Sequence, residues 1–250
     1  MKDIIIFDID GTLVESSLKI KKKHANILNK LKNKYDIAIC GGGELNKALE
    51  QMDNLIFFDH YFTECGCVYH INNSKKYLDL KQVYKKNIRE HKLYPYINIL
   101  IKEFLSFMSK VDFEITGHFV DMRSGIIYLS CIGMQANIKE REKFKKLDSQ
   151  HSIRRDVLNS LRMKAKKLGI SDDISINFGG TVGIGIYPIE YDKVQILDII
   201  HKYNYNNIIY FGDQVLQEGN DFNIINHPDV KGYKVNNIKE TYDIINNYLI

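Results

Sequence analysis

The chain has 250 residues, 35 Lys/Arg against 31 Asp/Glu for a formal net charge of +4, and 44% hydrophobic residues without a Trp. That length suits one large domain or two modest ones, and the composition is that of a globular chain with a sizeable core. No apolar stretch reaches the ~20 residues of a membrane span, no basic segment with a cleavage site opens the chain, and the four cysteines have no zinc spacing, so a cytoplasmic, reducing location without a membrane partner is expected.

Residues 3–80 alternate strand and helix signals. Ile4–Phe7 is a short apolar run, Ile20–Leu31 reads as a helix and Ile37–Cys40 as a strand. Gly41-Gly42-Gly43 then turns into a helical stretch, Glu44–Met52, and the apolar runs Leu55–Phe58 and Tyr61–Thr63 follow. Short buried strands separated by helices predict a parallel α/β sheet. The middle differs. Val111–Arg123 and Ile126–Cys131 read as paired strands, and two helical stretches follow. In the second of these, Ile153, Val157, Leu158, Leu161, Ala165 and Leu168 fall on one face. Ile174–Phe178 and Val182–Ile186 read as a hairpin around Gly179-Gly180. The C-terminal part returns to alternation: helix Val194–Tyr203, strand Asn207–Phe211, a helix through Ile224–Ile225, strand Gly232–Val235 and a closing helix Ile238–Leu249. The expected fold is therefore α/β, a Rossmann-like parallel-sheet core made of residues 1–81 and 187–250, with an α+β domain inserted at 82–186.

Charge follows the same division. Residues 82–186 carry 18 Lys/Arg against 11 Asp/Glu, and the remainder 17 against 20. A basic middle in an acidic frame suits a small anionic ligand that also needs a metal. The acidic frame and the lack of an interleaved Arg/aromatic motif argue against nucleic acid.

The chemistry-bearing residues sit where parallel strands end. Residues i and i+2 of a strand point the same way, so Asp8 and Asp10 start on one side, at the carboxyl end of the sheet where α/β folds place ligands. Two carboxylates that close need a cation or a shared proton, and Mg²⁺ accepts one or two carboxylates together with phosphate oxygens. Late in the chain, "IIYFGDQVLQEGNDF" ends another strand in Gly-Asp, which places Asp213 as a third carboxylate. Asp221 is either a further ligand or a helix N-cap. Lys193, between these elements, is suited to hold Asp8 ionised and to offset phosphoryl charge.

The segments "FDIDGTL", "GGGELNKALEQM", "TECGCVY", "FVDMRSGIIYLSCIG", "KEREKFKKLD", "GGTVGIGIYP", "YDKVQIL" and "YFGDQVLQEGNDFNI" run nearly end to end. In that order and spacing the chain resembles the haloacid dehalogenase superfamily, and within it the eukaryotic-type phosphomannomutases. The resemblance implies a cap domain at 82–186, Mg²⁺, a hexose phosphate substrate and a homodimer built through the caps. It implies interconversion of mannose 6-phosphate and mannose 1-phosphate through an aspartyl phosphate and a hexose 1,6-bisphosphate, feeding GDP-mannose synthesis. Asp8 then matches the nucleophile, Asp10 the general acid/base, and Lys193 their cationic partner. Asp8, Asp10 (through its carbonyl), Asp213 and Asp221 match the metal site. Arg123 and Arg141 match arginines that hold the distal phosphate, with Gly42, Gly43, Asn177 and Gly179 as further substrate-binding positions.

The chain also departs from the family pattern. The hydroxyl residue after the second strand is Gly43, the arginine after Ile-Gly is Met134, and the Ser-x-Asp that contacts sugar hydroxyls is Gly183-Ile184-Gly185. Ser17, Tyr128 and Gln214 stand for an arginine, an asparagine and a lysine, and Thr63-Glu64-Cys65-Gly66 for Pro-Glu-Asn-Gly. The phosphoryl-transfer set is kept, whereas the sugar-reading positions have lost polar groups. A site discriminates between hydroxyl patterns only while it carries their partners, so altered sugar selectivity is expected. The sequence leaves two alternatives open: an Mg-dependent sugar-phosphate phosphatase or mutase of other specificity, and a non-catalytic phosphosugar-binding homologue.

Overall fold

The computed structural model describes residues 2–16, 18–217 and 219–250. Ser17 lies outside the described residues. The chain forms two compact units, Met1–Lys86 with Lys193–Ile250, and Asn87–Asp192.

The first unit is built on strands β1 (Asp3–Phe7) and β2 (Tyr35–Cys40), helices α1 (Lys22–Leu31) and α2 (Leu45–Met52), and strands β3 (His60–Thr63), β4 (Val68–Asn72) and β5 (Leu80–Lys85). The second unit contributes α3 (Tyr94–Met108), β6 (Val120–Met122), β7 (Ile127–Ser130), α4 (Ile138–His151), α5 (Ile153–Lys167), β8 (Ile174–Gly179) and β9 (Gly183–Pro188). The chain then returns to the first unit with α6 (Leu197–Ile200), β10 (Ile208–Gly212), α7 (Phe222–Ile225), β11 (Val230–Lys234) and α8 (Ile238–Tyr248).

The first unit's sheet has the order β11-β10-β1-β2-β3-β4-β5. From β11 to β3 the pairing is parallel, and β4 and β5 close the edge antiparallel. A sheet covered on both faces needs strands that are apolar at every position, which is why "IIIF" reads as a continuous run. Ile5 and Phe7 join Ile37, Ile39 and Phe211 in a core capped by α1, α2 and α8. Ile4 and Ile6 join Ala38, Tyr210, Leu197 and Ile224 on the opposite face. Each of these isoleucines contributes roughly 2 kcal/mol through burial. β1 lies between β10 and β2, with Phe7 in register with Phe211 and Ile39. The ends of β1 and β10 therefore emerge side by side.

The second unit has a four-stranded antiparallel sheet, β6-β7-β9-β8. Helices α3 and α5 pack on each other, and α5 also packs on β8 and β9. The α5 face that meets this core is Val157, Leu158, Leu161 and Ala165.

Three expectations change. The break between units falls after residue 86 and after residue 192, because β5 stays with the first sheet as its edge. With those joints the second unit carries 16 Lys/Arg against 13 Asp/Glu and the first 19 against 18, so the expected contrast of net charge largely disappears. Leu55–Phe58 is no strand: Ile56 and Phe58 are buried plugs, and the Phe58 N–H is taken by the Tyr61 hydroxyl at 3.0 Å instead of by a ladder. Among the described residues, no helix is long and apolar enough to cross a membrane.

Candidate active site

Asp8 directly follows β1 and its N–H donates to the Phe211 carbonyl at 2.9 Å, which ties it to the end of β10. Asp213 directly follows β10. Between these two aspartates the backbone of Gly11 turns with φ +94°, and a Cβ there would lie 2.5 Å from Asp213 Oδ2. Glycine in the Asp-x-Asp-Gly-Thr segment is thus required both by the left-handed turn and by the approach of the carboxylate.

Asp8, Asp213 and Asp221 each place a carboxylate oxygen so that all three lie within 4.8 Å of one another. Lys193, fully buried, donates to Asp8 Oδ1 at 2.6 Å and to Asp221 Oδ1 at 2.7 Å. Both oxygens of Asp221 meet protein donors: Oδ1 also accepts from the Tyr210 hydroxyl at 2.6 Å, and Oδ2 accepts from the Gln214 N–H at 3.0 Å. It stands at the N-cap position of α7, yet its side chain makes no capping bond. Its carboxylate instead holds Lys193 against Asp8.

Electrostatics gives this cluster its direction. Burial raises the Asp8 pKa well above the carboxylate range, Lys193 pulls it down, and Asp221 and Asp213 push it up again. Burial likewise raises Asp213, with the Gln214 amide opposing it. Lys193 is depressed by burial, but Asp221 and Asp8 outweigh that and hold it protonated. Three gathered carboxylates thus share one buried ammonium, and charge balance calls for a further cation. A hard divalent ion with oxygen ligands fits that donor set. The oxygens of Asp8 and Asp213 are suited to hold it, with Asp221 alongside.

Asp10 stands outside this three-carboxylate cluster. Its Oδ2 accepts from Lys47 Nζ at 2.5 Å and its Oδ1 from Gln51 Nε2 at 2.8 Å. Lys47 and Gln51 are one helical turn apart on α2, so they present a shared face. Together with Asp8, Asp10 and Gly41–Gly43 they line a small pocket. Neither was singled out from the sequence, since a lysine on a helix reads as solvated charge. The signal was their i, i+4 spacing immediately after the triple glycine. Tyr210 was missed as well, because an apolar strand gives no reason to expect a working hydroxyl.

The second unit holds the remaining candidates. Arg123 has Nε and Nη2 each 2.7 Å from Asp121 Oδ2, and its guanidinium carbon lies 5.1 Å from the Tyr128 ring centroid. Arg141 donates from Nε to the Ala136 carbonyl at 2.9 Å and from Nη2 to the Met134 carbonyl at 3.0 Å, so it is not the solvated charge its lysine-rich helix suggests. Asn177 donates to Ser175 Oγ at 2.8 Å and accepts from Arg162 at 3.2 Å. Gly179 offers its carbonyl to the Tyr128 hydroxyl at 2.8 Å.

The fold and this strand-end cluster define a protein of the haloacid dehalogenase type, a Rossmann-like core interrupted by an α+β unit. Solved structures with this fold include an IMP-nucleotidase from Plasmodium falciparum, at TM-score 0.72 and 17% identity over 98% of this chain and 62% of that one. A sucrose-phosphatase from Synechocystis aligns at TM-score 0.51 and 13% identity over 100% of this chain and 90% of its own. At that identity the likeness concerns the fold. Sequence is more specific. The family model for eukaryotic phosphomannomutase matches residues 24–250. A phosphomannomutase from Encephalitozoon cuniculi is 32% identical over 96% of this chain and 91% of its own, and one from Saccharomyces cerevisiae is 29% identical over 97% of this chain and 92% of its own. The chain belongs to the eukaryotic phosphomannomutase family.

Proposed function

We propose that this protein is a phosphomannomutase that interconverts mannose 6-phosphate and mannose 1-phosphate with Asp8 as the phosphoryl carrier. The observation that carries this is the seating of Asp8: a strand-end carboxylate bonded to a buried lysine, with Asp213 and Asp221 beside it. An oxygen of Asp8 attacks the phosphorus of a hexose 1,6-bisphosphate, the P–O bond to the sugar breaks, and the leaving oxygen takes its proton from Asp10. In the return step the other phosphate-bearing orientation of the sugar is used: a hydroxyl gives its proton to Asp10 and attacks the aspartyl phosphate, restoring Asp8. Lys193 offsets charge on Asp8 throughout, and Lys47 with Gln51 fixes the Asp10 carboxylate for both transfers. Bound Mg²⁺, held by Asp8 and Asp213, would supply charge neutralisation at the phosphoryl oxygens. Arg123 and Arg141 are assigned to the second phosphate, where a planar guanidinium matches its oxygens. Arg123 must then exchange its Asp121 partner for phosphate. A homodimer and a cytoplasmic place of action belong to the same reading and rest on family membership.

The test is product analysis with Mg²⁺, mannose 1-phosphate and a catalytic amount of hexose 1,6-bisphosphate. Mannose 6-phosphate is the expected product, and release of inorganic phosphate alone would replace the mutase with a phosphatase. Metal binding is separable from turnover. Mg²⁺ should raise the melting temperature of the wild type, since a ligand of the folded state stabilises it, and Asp213→Asn should abolish the shift. An equal shift in that variant would remove Asp213 from the metal site.

A further inference from the structure

In the second unit, a tyrosine lies over positions from which side chains would otherwise project. Tyr128 of β7 faces Gly185 of β9, which faces Asn177 of β8, and the next row along places Gly183 beside Gly179. A Cβ at Gly179 would lie 2.7 Å from Tyr128 Cε2, and one at Gly183 would lie 2.5 Å from Tyr128 Cζ and 2.6 Å from its hydroxyl. The Leu129 carbonyl oxygen, 2.4 Å from the same point, closes position 183 from the strand side as well. The ring therefore fills the volume two side chains would need, and its hydroxyl is anchored on the Gly179 carbonyl. Burial pushes the phenol up to about 12 against the pull of Arg123, Arg141 and Arg154, so it stays a neutral donor within a cluster of arginines.

We propose that Tyr128 is a positioning residue of this unit, which supports the phosphate-binding arginine and leaves the sugar unread. It covers strand positions 179 and 183, which removes hydroxyl-reading side chains, and it carries the Arg123 guanidinium on its ring. The ligand is then a hexose monophosphate gripped by its phosphate, with the configuration of its hydroxyls largely unread. This rests on the function proposed above, in which Arg123 and Arg141 bind the substrate. A site that hydrogen-bonds a given hydroxyl rejects analogues lacking it by large factors, and at positions 179 and 183 this one has no side chain to do so. Arg123, in turn, depends on the ring for support, since cation–π contact is strongest where water is excluded.

Titration calorimetry of the intact protein with mannose 1-phosphate and with glucose 1-phosphate tests this. The two dissociation constants are expected within about threefold of each other, as for sites without hydroxyl partners. Tyr128→Ala should weaken both by about tenfold while keeping their ratio. A twentyfold or greater preference of the wild type for one epimer would overturn the proposal, on a readout that needs no variant to fold. So would unchanged affinities in a folded Tyr128→Ala protein, or failure of both sugar phosphates to bind. Equal binding without any mutase turnover would uphold the role of Tyr128 and overturn the proposed reaction alone.

Discussion

Lys193 is enclosed between the carboxylates of Asp8 and Asp221, with its own side chain fully buried. Removing one member of a buried ionic set leaves uncompensated charge, typically at a cost of about 3–5 kcal/mol. Lys193→Met should therefore lose that much in urea unfolding along with its activity, and a variant as stable as wild type would contradict the buried network. Lys47 is different, because its side chain is 40% exposed and its partner Asp10 is 30% exposed. Lys47→Met should fold normally yet lower kcat by about 10–100-fold through a misplaced acid/base, with less effect on KM. Unchanged kcat would leave Asp10 without the need for its helix partner. Asp8 and Asp213 were legible because a strand-end motif announces them, and Lys193 from its place between those two motifs. Lys47, Gln51 and Tyr210 were not, because their roles depend on which residue the fold sets opposite them.

At the scale of elements, hydrophobic period carried most of the reading. It recovered α1 and α5 from a buried stripe, and the continuous buried runs of β1 and β2 and the β8–β9 hairpin were read beside them. It overran where apolar residues serve as plugs. Of the expected strand Val111–Arg123 only Val120–Met122 pairs in the sheet. Upstream of it the Thr116 N–H goes to the Ile132 carbonyl and His118 takes φ +59°, which breaks the extended run. The joint between α4 and α5 was legible only as two helical stretches. It is a single residue, Ser152, in the left-handed conformation at φ 55° and exposed. Serine pays for that backbone where glycine would not, so Ser152→Gly should stabilise the protein by about 0.5–1 kcal/mol. A loss of stability on that substitution would mean the hydroxyl matters more than the turn.

Across the whole molecule, the acid limit of stability is set partly outside the candidate site. His60 opens β3 in register with Ala38 of β2, itself beside Ile6 of β1, and is almost fully buried. Its Nδ1 bonds the Tyr69 hydroxyl at 2.8 Å and its Nε2 the Tyr205 hydroxyl at 2.9 Å, and Tyr205 donates on to Asp36 at 3.1 Å. Burial lowers the His60 pKa to about 4 from 6.5. The unfolded chain therefore takes up a proton below pH 6.5 while the folded one does so only near pH 4. This stability is present above pH 6.5 and is lost as pH falls towards 4, amounting to roughly 3 kcal/mol. Urea unfolding between pH 7 and 4 should show that decline, and His60→Phe should flatten this part of it; an unaltered slope would remove His60 as its source.

The central claim is that Asp8 carries the phosphoryl group. It is tested most directly by mixing the protein with Mg²⁺ and hexose 1,6-bisphosphate, quenching in acid, and locating the phosphoryl group by peptide mass spectrometry. One phosphoryl group on the peptide containing Asp8, absent in Asp8→Asn, is the predicted result. Phosphorylation at another residue, or sustained turnover by Asp8→Asn, would contradict it.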